Sequence, residues 1–267
     1  MDKSIRLSRA LFAAVFIGLG VVGLISGDFA SVWQRIPIAD LPYRSFFAYL
    51  TAAVELACGL GLLFRATLRP ASVLLFVFTL LWLILLRLPA VVVMPSMEAT
   101  WLGFGETGTM VAGAWVLFAS HSGLNIRFLT GDSGIRFARV FLALCLPMIG
   151  LSHFFYADVT AGFVPKWIPF PLGFAYLTGA GSLAACLGIL FRAVPRLAAT
   201  MEAAMLGVIT LCVWVIPLLP KLTDRGQWTA VIISSGIALG VYVVADTYRS
   251  NAWRSSGRSG DAVSTDP

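Results

Sequence analysis

FAYLTAAVELACGLGLLFR at 47–65 recurs as FAYLTGAGSLAACLGILFR at 174–192, with 13 of 19 positions identical. Each stretch is about one bilayer thickness of apolar residues ending in arginine, the pattern of a membrane-crossing helix. Outward from this pair, further landmarks recur at offsets of 127 to 130: Arg9 and Arg139, Gly20 and Gly150, Asp28 and Asp158, Arg69 and Arg196, Pro89 and Pro217, Trp101 and Trp228. Apolar composition inflates chance agreement, but matching Arg, Asp, Pro and Trp positions are not inflated that way. The sequence therefore predicts an internal duplication.

Around this pair, apolar runs of crossing length give eight spans: 10–27, 46–64, 71–94, 101–120, 139–157, 173–191, 197–219 and 228–247. The third is interrupted by Arg87 and Pro89. Four spans per copy is an even number, so both copies insert with the same orientation, related by a pseudo-two-fold axis along the membrane normal. The expected fold class is an all-α integral membrane protein, with eight transmembrane helices in two parallel four-helix bundles. The domains are then 1–120, a cytoplasmic linker at 121–138, the second repeat at 139–247 and a disordered cytoplasmic tail at 248–267. The first span follows Lys3, Arg6 and Arg9 as a signal peptide would. It has a copy deep in the chain, so it is expected to stay.

Composition agrees. Of 267 residues, 59% are hydrophobic and 12% charged, with a mean hydropathy of +0.89. Ordinary globular chains carry roughly 25% charge. That balance excludes a nucleic-acid binder, a disulfide scaffold and a large extramembrane catalytic domain. Of the 19 basic residues, 13 fall at one set of span ends and six (Arg35, Arg44, Arg87, Lys166, Lys221 and Arg225) at the other. The larger set marks the cytoplasmic face and holds both termini. The net charge of +6 is explained by this bias toward anionic headgroups.

Ala48, Ala52, Glu55 and Gly59 lie on one face of the second span, with Ala175, Gly179, Ser182 and Cys186 as counterparts. Small residues at this spacing let helices approach closely in lipid. Glu55 is the exception, and a carboxylate within a span is a functional-site candidate by default. Arg87 and Thr51 are its possible partners. Glu106 in the fourth span, and His153 and Asp158 at the outer end of the fifth, complete the candidates for proton or substrate handling. Glu202 is expected to snorkel or pair with an arginine. Cys58, Cys145, Cys186 and Cys212 form no CxxC, and no His/Cys cluster has ligand spacing, so no metal site is expected. Walker, dinucleotide and nucleophile-elbow motifs are absent, so catalysis by the isolated chain is not expected.

GLSH at 150–153, VPKWIP at 164–169 and LGILFR at 187–192, together with VELACGLGLLFR at 54–65, resemble the DoxX family of small four-helix membrane proteins. Glu55 falls on the glutamate of the family's E-x-x-x-G-x-x-L-L segment; Ser182 departs from it in the second copy. The resemblance implies a bacterial inner membrane protein, and a redox-associated subunit or accessory for which quinone is the candidate cofactor and a redox protein the candidate partner. The other reading is a carrier or receptor for a small hydrophobic solute or lipid, or an assembly scaffold.

Overall fold

The computed structural model describes residues 3–30, 34 and 41–249, and the side chains of all of these but 3–6. The masked positions include Arg35 and the tail from 250, so the disordered tail expected there lies outside the described residues. Every regular element among the described residues is helical. They are α1 (Lys3–Ser26), α2 (Arg44–Leu63), α3 (Leu68–Trp82), α4 (Leu88–Val93), α5 (Glu98–His121), α6 (Gly131–Phe155), α7 (Ala157–Phe163), α8 (Pro171–Leu190), α9 (Pro195–Ile209), α10 (Ile216–Leu218) and α11 (Arg225–Asp246).

Seven helical runs are long and apolar enough to cross a membrane: Leu7–Ser26, Arg44–Leu63, Leu68–Val93, Gly131–Phe155, Pro171–Leu190, Pro195–Lys221 and Arg225–Asp246. Their outer surfaces are apolar, as at Ile25, Leu85, Val92, Leu177 and Leu219, all well exposed. A chain in water would not turn so many large aliphatic side chains outward. The remaining expected span, 101–120, lies in α5, a 24-residue helix. Gly103, Glu106, Thr107 and Thr109 make it less apolar, and it is buried along most of its length. A helix surrounded by other helices has little lipid-facing surface to make apolar.

The packing differs from two separate bundles. Around the molecule α1 packs on α2, α2 on α3, α3 on α5, α5 on α6, α6 on α8, α8 on α9, α9 on α11, and α11 back on α1. The ring is closed across its middle by α5 against α11. Thus the fourth long helix of each half lies against the first helix of the other half. The crossing is at Gly113 and Gly240, where a Cβ on Gly113 would stand 2.8 Å from the Gly240 Cα. Two backbones at that distance leave no room for a side chain on either helix.

Element bounds keep step at 127 residues. Arg44–Leu63 and Pro171–Leu190 are both 20 residues long; Leu68–Trp82 and Pro195–Ile209 are both 15. Tyr43 and Phe170, each preceding its helix, both take φ 56, a left-handed conformation uncommon for aromatic residues. The small-residue faces of α2 and α8 are buried as the spacing required, Glu55 and Ser182 included.

The third span is not broken by Arg87 and Pro89 but bulges. A π turn at Leu83–Arg87 joins α3 to α4, and another at Thr210–Val215 joins α9 to α10. Pro89 and Pro217 lie just beyond; each lacks an N–H and crowds the carbonyl four residues back, which a wider turn relieves. The second π turn has six residues against five. That extra residue is why the offset moves from 127 at Leu83 and Thr210 to 128 at the two prolines. The expected linker at 121–138 is shorter than its polar composition suggested. α6 takes it over from Gly131, and the Trp115 indole donates to the Leu129 carbonyl, holding the connection against α5.

Candidate functional site

Glu55 faces the interior from α2 and is 2% exposed. Its Oε1 accepts from the Gln34 Nε2 at 2.6 Å. Gln34, itself buried, accepts from the Ala30 N–H through its own side-chain oxygen at 3.0 Å. The segment after α1 therefore folds inward and delivers an amide to the carboxylate. The sequence reading looked for partners within the spans, at Arg87 and Thr51, and missed Gln34 in the connection. A polar residue in the apolar stretch around it was the available signal.

In the second half the carboxylate changes helix. Glu202 does not snorkel to an arginine: it is 2% exposed and its Oε1 accepts from the Ser182 hydroxyl at 2.8 Å. Ser182 stands where the 127-residue offset puts Glu55, and Glu202 stands where it puts Leu75 on α3. A carboxylate thus sits beside the same small-residue face in both halves, supplied by α2 in one and by α9 in the other.

The other candidates have separate surroundings. Arg87, on the first π turn, donates from Nε to the Thr107 hydroxyl at 3.2 Å, and a Cβ on Gly103 would stand 3.0 Å from its guanidinium. The gap at Gly103 admits the arginine beside Glu106, one residue before Thr107 on α5. His153 shares a hydrogen bond through Nδ1 with the Thr178 hydroxyl at 2.8 Å, across α6 and α8. Asp158 is exposed in the first turn of α7. The four candidates therefore have different partners on different elements. Among the described residues no three His, Cys, Asp or Glu side chains come together as a metal site.

The carboxylate that does hold elements together is Asp28, which the sequence reading used only as a landmark. Arg44 donates from Nε to its Oδ1 at 3.0 Å, and Arg225 lies 3.8 Å from Oδ2. Arg225 also donates to the carbonyls of Asp28 and Phe29 at 2.9 and 2.6 Å. At the opposite end Arg139 donates to the Thr247 hydroxyl at 2.7 Å and to its carbonyl, and stacks 3.9 Å from the Tyr248 ring centre. Burial pushes the Tyr248 phenol above its ordinary range, and the Arg139 charge draws it partly back.

One groove of about 450 Å³ opens between α9, its π turn and α11. Ala203, Ala204, Gly207, Leu211, Ala238 and Leu239 give it an apolar wall; Thr200, Thr210, Ser235 and Tyr242 add hydroxyls. A Cβ on Gly207 would meet nothing within 4 Å. The positions 127 residues before Ala203 and Gly207 are Phe76 and Leu80. There the Phe76 ring stacks on Phe118 and packs on Trp115, and the same space is filled.

The DoxX family model matches residues 5–88. This part of the chain is a DoxX domain. No curated protein and no solved structure matches the chain. The DoxX domain spans α1, α2, α3 and the first π turn, so it includes Glu55, Gln34, Asp28 and Arg87. Glu202 and the groove lie outside the matched DoxX residues.

Proposed function

We propose that this chain is an eight-span bacterial inner membrane protein, formed by duplication of a DoxX unit. In this reading it serves as an accessory or subunit of a quinone-linked redox system and holds a lipophile in the second-half groove. The paired helix lengths, the paired left-handed residues before α2 and α8, and the paired π turns support duplication. The length and burial of α5 support the eighth span. The charge count supports both termini on the cytoplasmic side. The observation that carries lipophile binding is the groove: its volume is within the roughly 300–1,000 Å³ of small-molecule sites, and its wall is apolar with a few hydroxyls. The redox association is taken from the DoxX resemblance. Glu55, Glu106, His153 and Asp158 remain the candidates for proton or substrate handling.

Mass spectrometry of the protein purified in a mild detergent tests this. A retained quinone, or a stoichiometric redox protein, supports the reading. Neither one, in protein that keeps its fold, overturns the redox role.

A carrier or receptor for a small hydrophobic solute or lipid is the second reading. What favours it is that Thr210, Leu211 and Val215 of the π turn line the groove. A bulged turn has irregular hydrogen bonding and is frequent at functional sites. Uptake of a labelled lipophile into proteoliposomes, with no partner protein present, separates this reading from the first.

A further inference from the structure

We infer that the groove and the arginines at its end form a site for one anionic phospholipid, with an acyl chain in the groove and the phosphate at Arg196 and Arg249. This names the lipophile class and rests on the groove being a binding site.

Three observations carry it. The groove is opened by side-chain size: Ala203 and Gly207 stand where the offset puts Phe76 and Leu80 in the first half, and the wall is apolar. An extended hydrocarbon chain suits such a wall, since it needs no hydrogen-bond partner. Second, two arginines lie at one end. Thr200 of the groove donates to the Arg196 carbonyl one turn away, and the groove's Tyr242 hydroxyl accepts from the Arg249 Nη2 at 3.4 Å. Third, this end is basic beyond those two. Arg139 stacks on Tyr248 close by in sequence, and the charges of Arg139 and Arg192 act on each other. Asp246 bonds Arg249 at 2.7 Å and fixes its guanidinium, leaving an excess of positive charge. The hydroxyls of Thr200 and Tyr242 lie between wall and arginines, where the glycerol ester groups of a phospholipid would be. A neutral quinone head has no use for that charge. A phosphodiester does.

The test is native mass spectrometry of the full chain in mild detergent, titrated with phosphatidylglycerol and with phosphatidylcholine of the same acyl chains. Retained quinone is read from the same preparations. Expected are one phosphatidylglycerol retained per chain, preference over phosphatidylcholine, and loss of that lipid in Gly207→Leu and in Ala203→Phe. Arg196→Gln and Arg249→Gln should each lower the preference about fivefold. Two groove variants are used so that misfolding of one does not decide the matter. Phosphatidylglycerol retained equally by both folded groove variants marks surface lipid only and overturns the inference. If those variants lose quinone but keep phosphatidylglycerol, the groove is a quinone site: the inference falls and the proposed function stands. If soluble glycerol phosphate displaces the lipid as well as phosphatidylglycerol does, the arginines act without the groove, and the inference also falls.

Discussion

The Ser182 hydroxyl donates to the Glu202 carboxylate at 2.8 Å, joining α8 to α9 in the apolar interior. Hydrogen bonds between membrane helices average about 0.6 kcal/mol and reach about 1.7. Ser182→Ala should therefore lower stability by about 1 kcal/mol, because Glu202 keeps its burial and loses its donor. Ser182→Ala combined with Glu202→Leu should cost less than the sum of the two single changes. Thermal melting in mild detergent, run as a double-mutant cycle, measures this coupling. Additive effects would show that the bond contributes nothing.

Gln34 and Glu55 form the corresponding contact in the first half, at 2.6 Å. An amide at position 55 can still accept from Gln34. Glu55→Gln should leave the amount of protein in the membrane unchanged while impairing its activity in a complementation assay. Gln34→Ala should instead lower protein level, since the inward fold of the connection loses its anchor. Loss of Glu55→Gln from the membrane would assign the carboxylate a structural role alone.

Gly113 and Gly240 set the distance between α5 and α11. A Cβ at Gly240 would stand 2.5 Å from the Thr109 carbonyl oxygen, which is backbone and cannot rotate away. Gly240→Ala should cost about 1–3 kcal/mol through overpacking. Gly207→Ala, where a Cβ has open space, should cost less than about 1 kcal/mol. Melting temperatures of the two variants in one detergent give the comparison.

Arg225 contacts Asp28 in two ways, and they should separate. The ion pairs of Asp28 are more than a third exposed, so Asp28→Asn should change stability by less than about 1 kcal/mol, and by less still at high salt. Arg225→Ala should cost more, because it also removes the bonds to the Asp28 and Phe29 carbonyls. Salt-dependent melting of both variants would check the order.

The sequence by itself determined the membrane class, the positions of the long helices and the buried faces of α2 and α8. Those follow from apolar run length, charge placement and small-residue spacing, all of which are local. Glu55 was legible as a buried carboxylate for the same reason. Its donor was not, because nothing local says that residue 34 folds back onto residue 55. Glu202 was misread because sequence distance to Arg196 was visible and contact with Ser182, on another helix, was not. Two π turns were hidden behind prolines that looked like ordinary helix ends. Only the tertiary structure decided that α5 packs on α6 and α1 on α11, giving one ring in place of two bundles. Helix faces can be read from periodicity, but which helix meets which face is decided by close approach at a few small residues. At Gly113 and Gly240 that approach occurs between segments 127 residues apart.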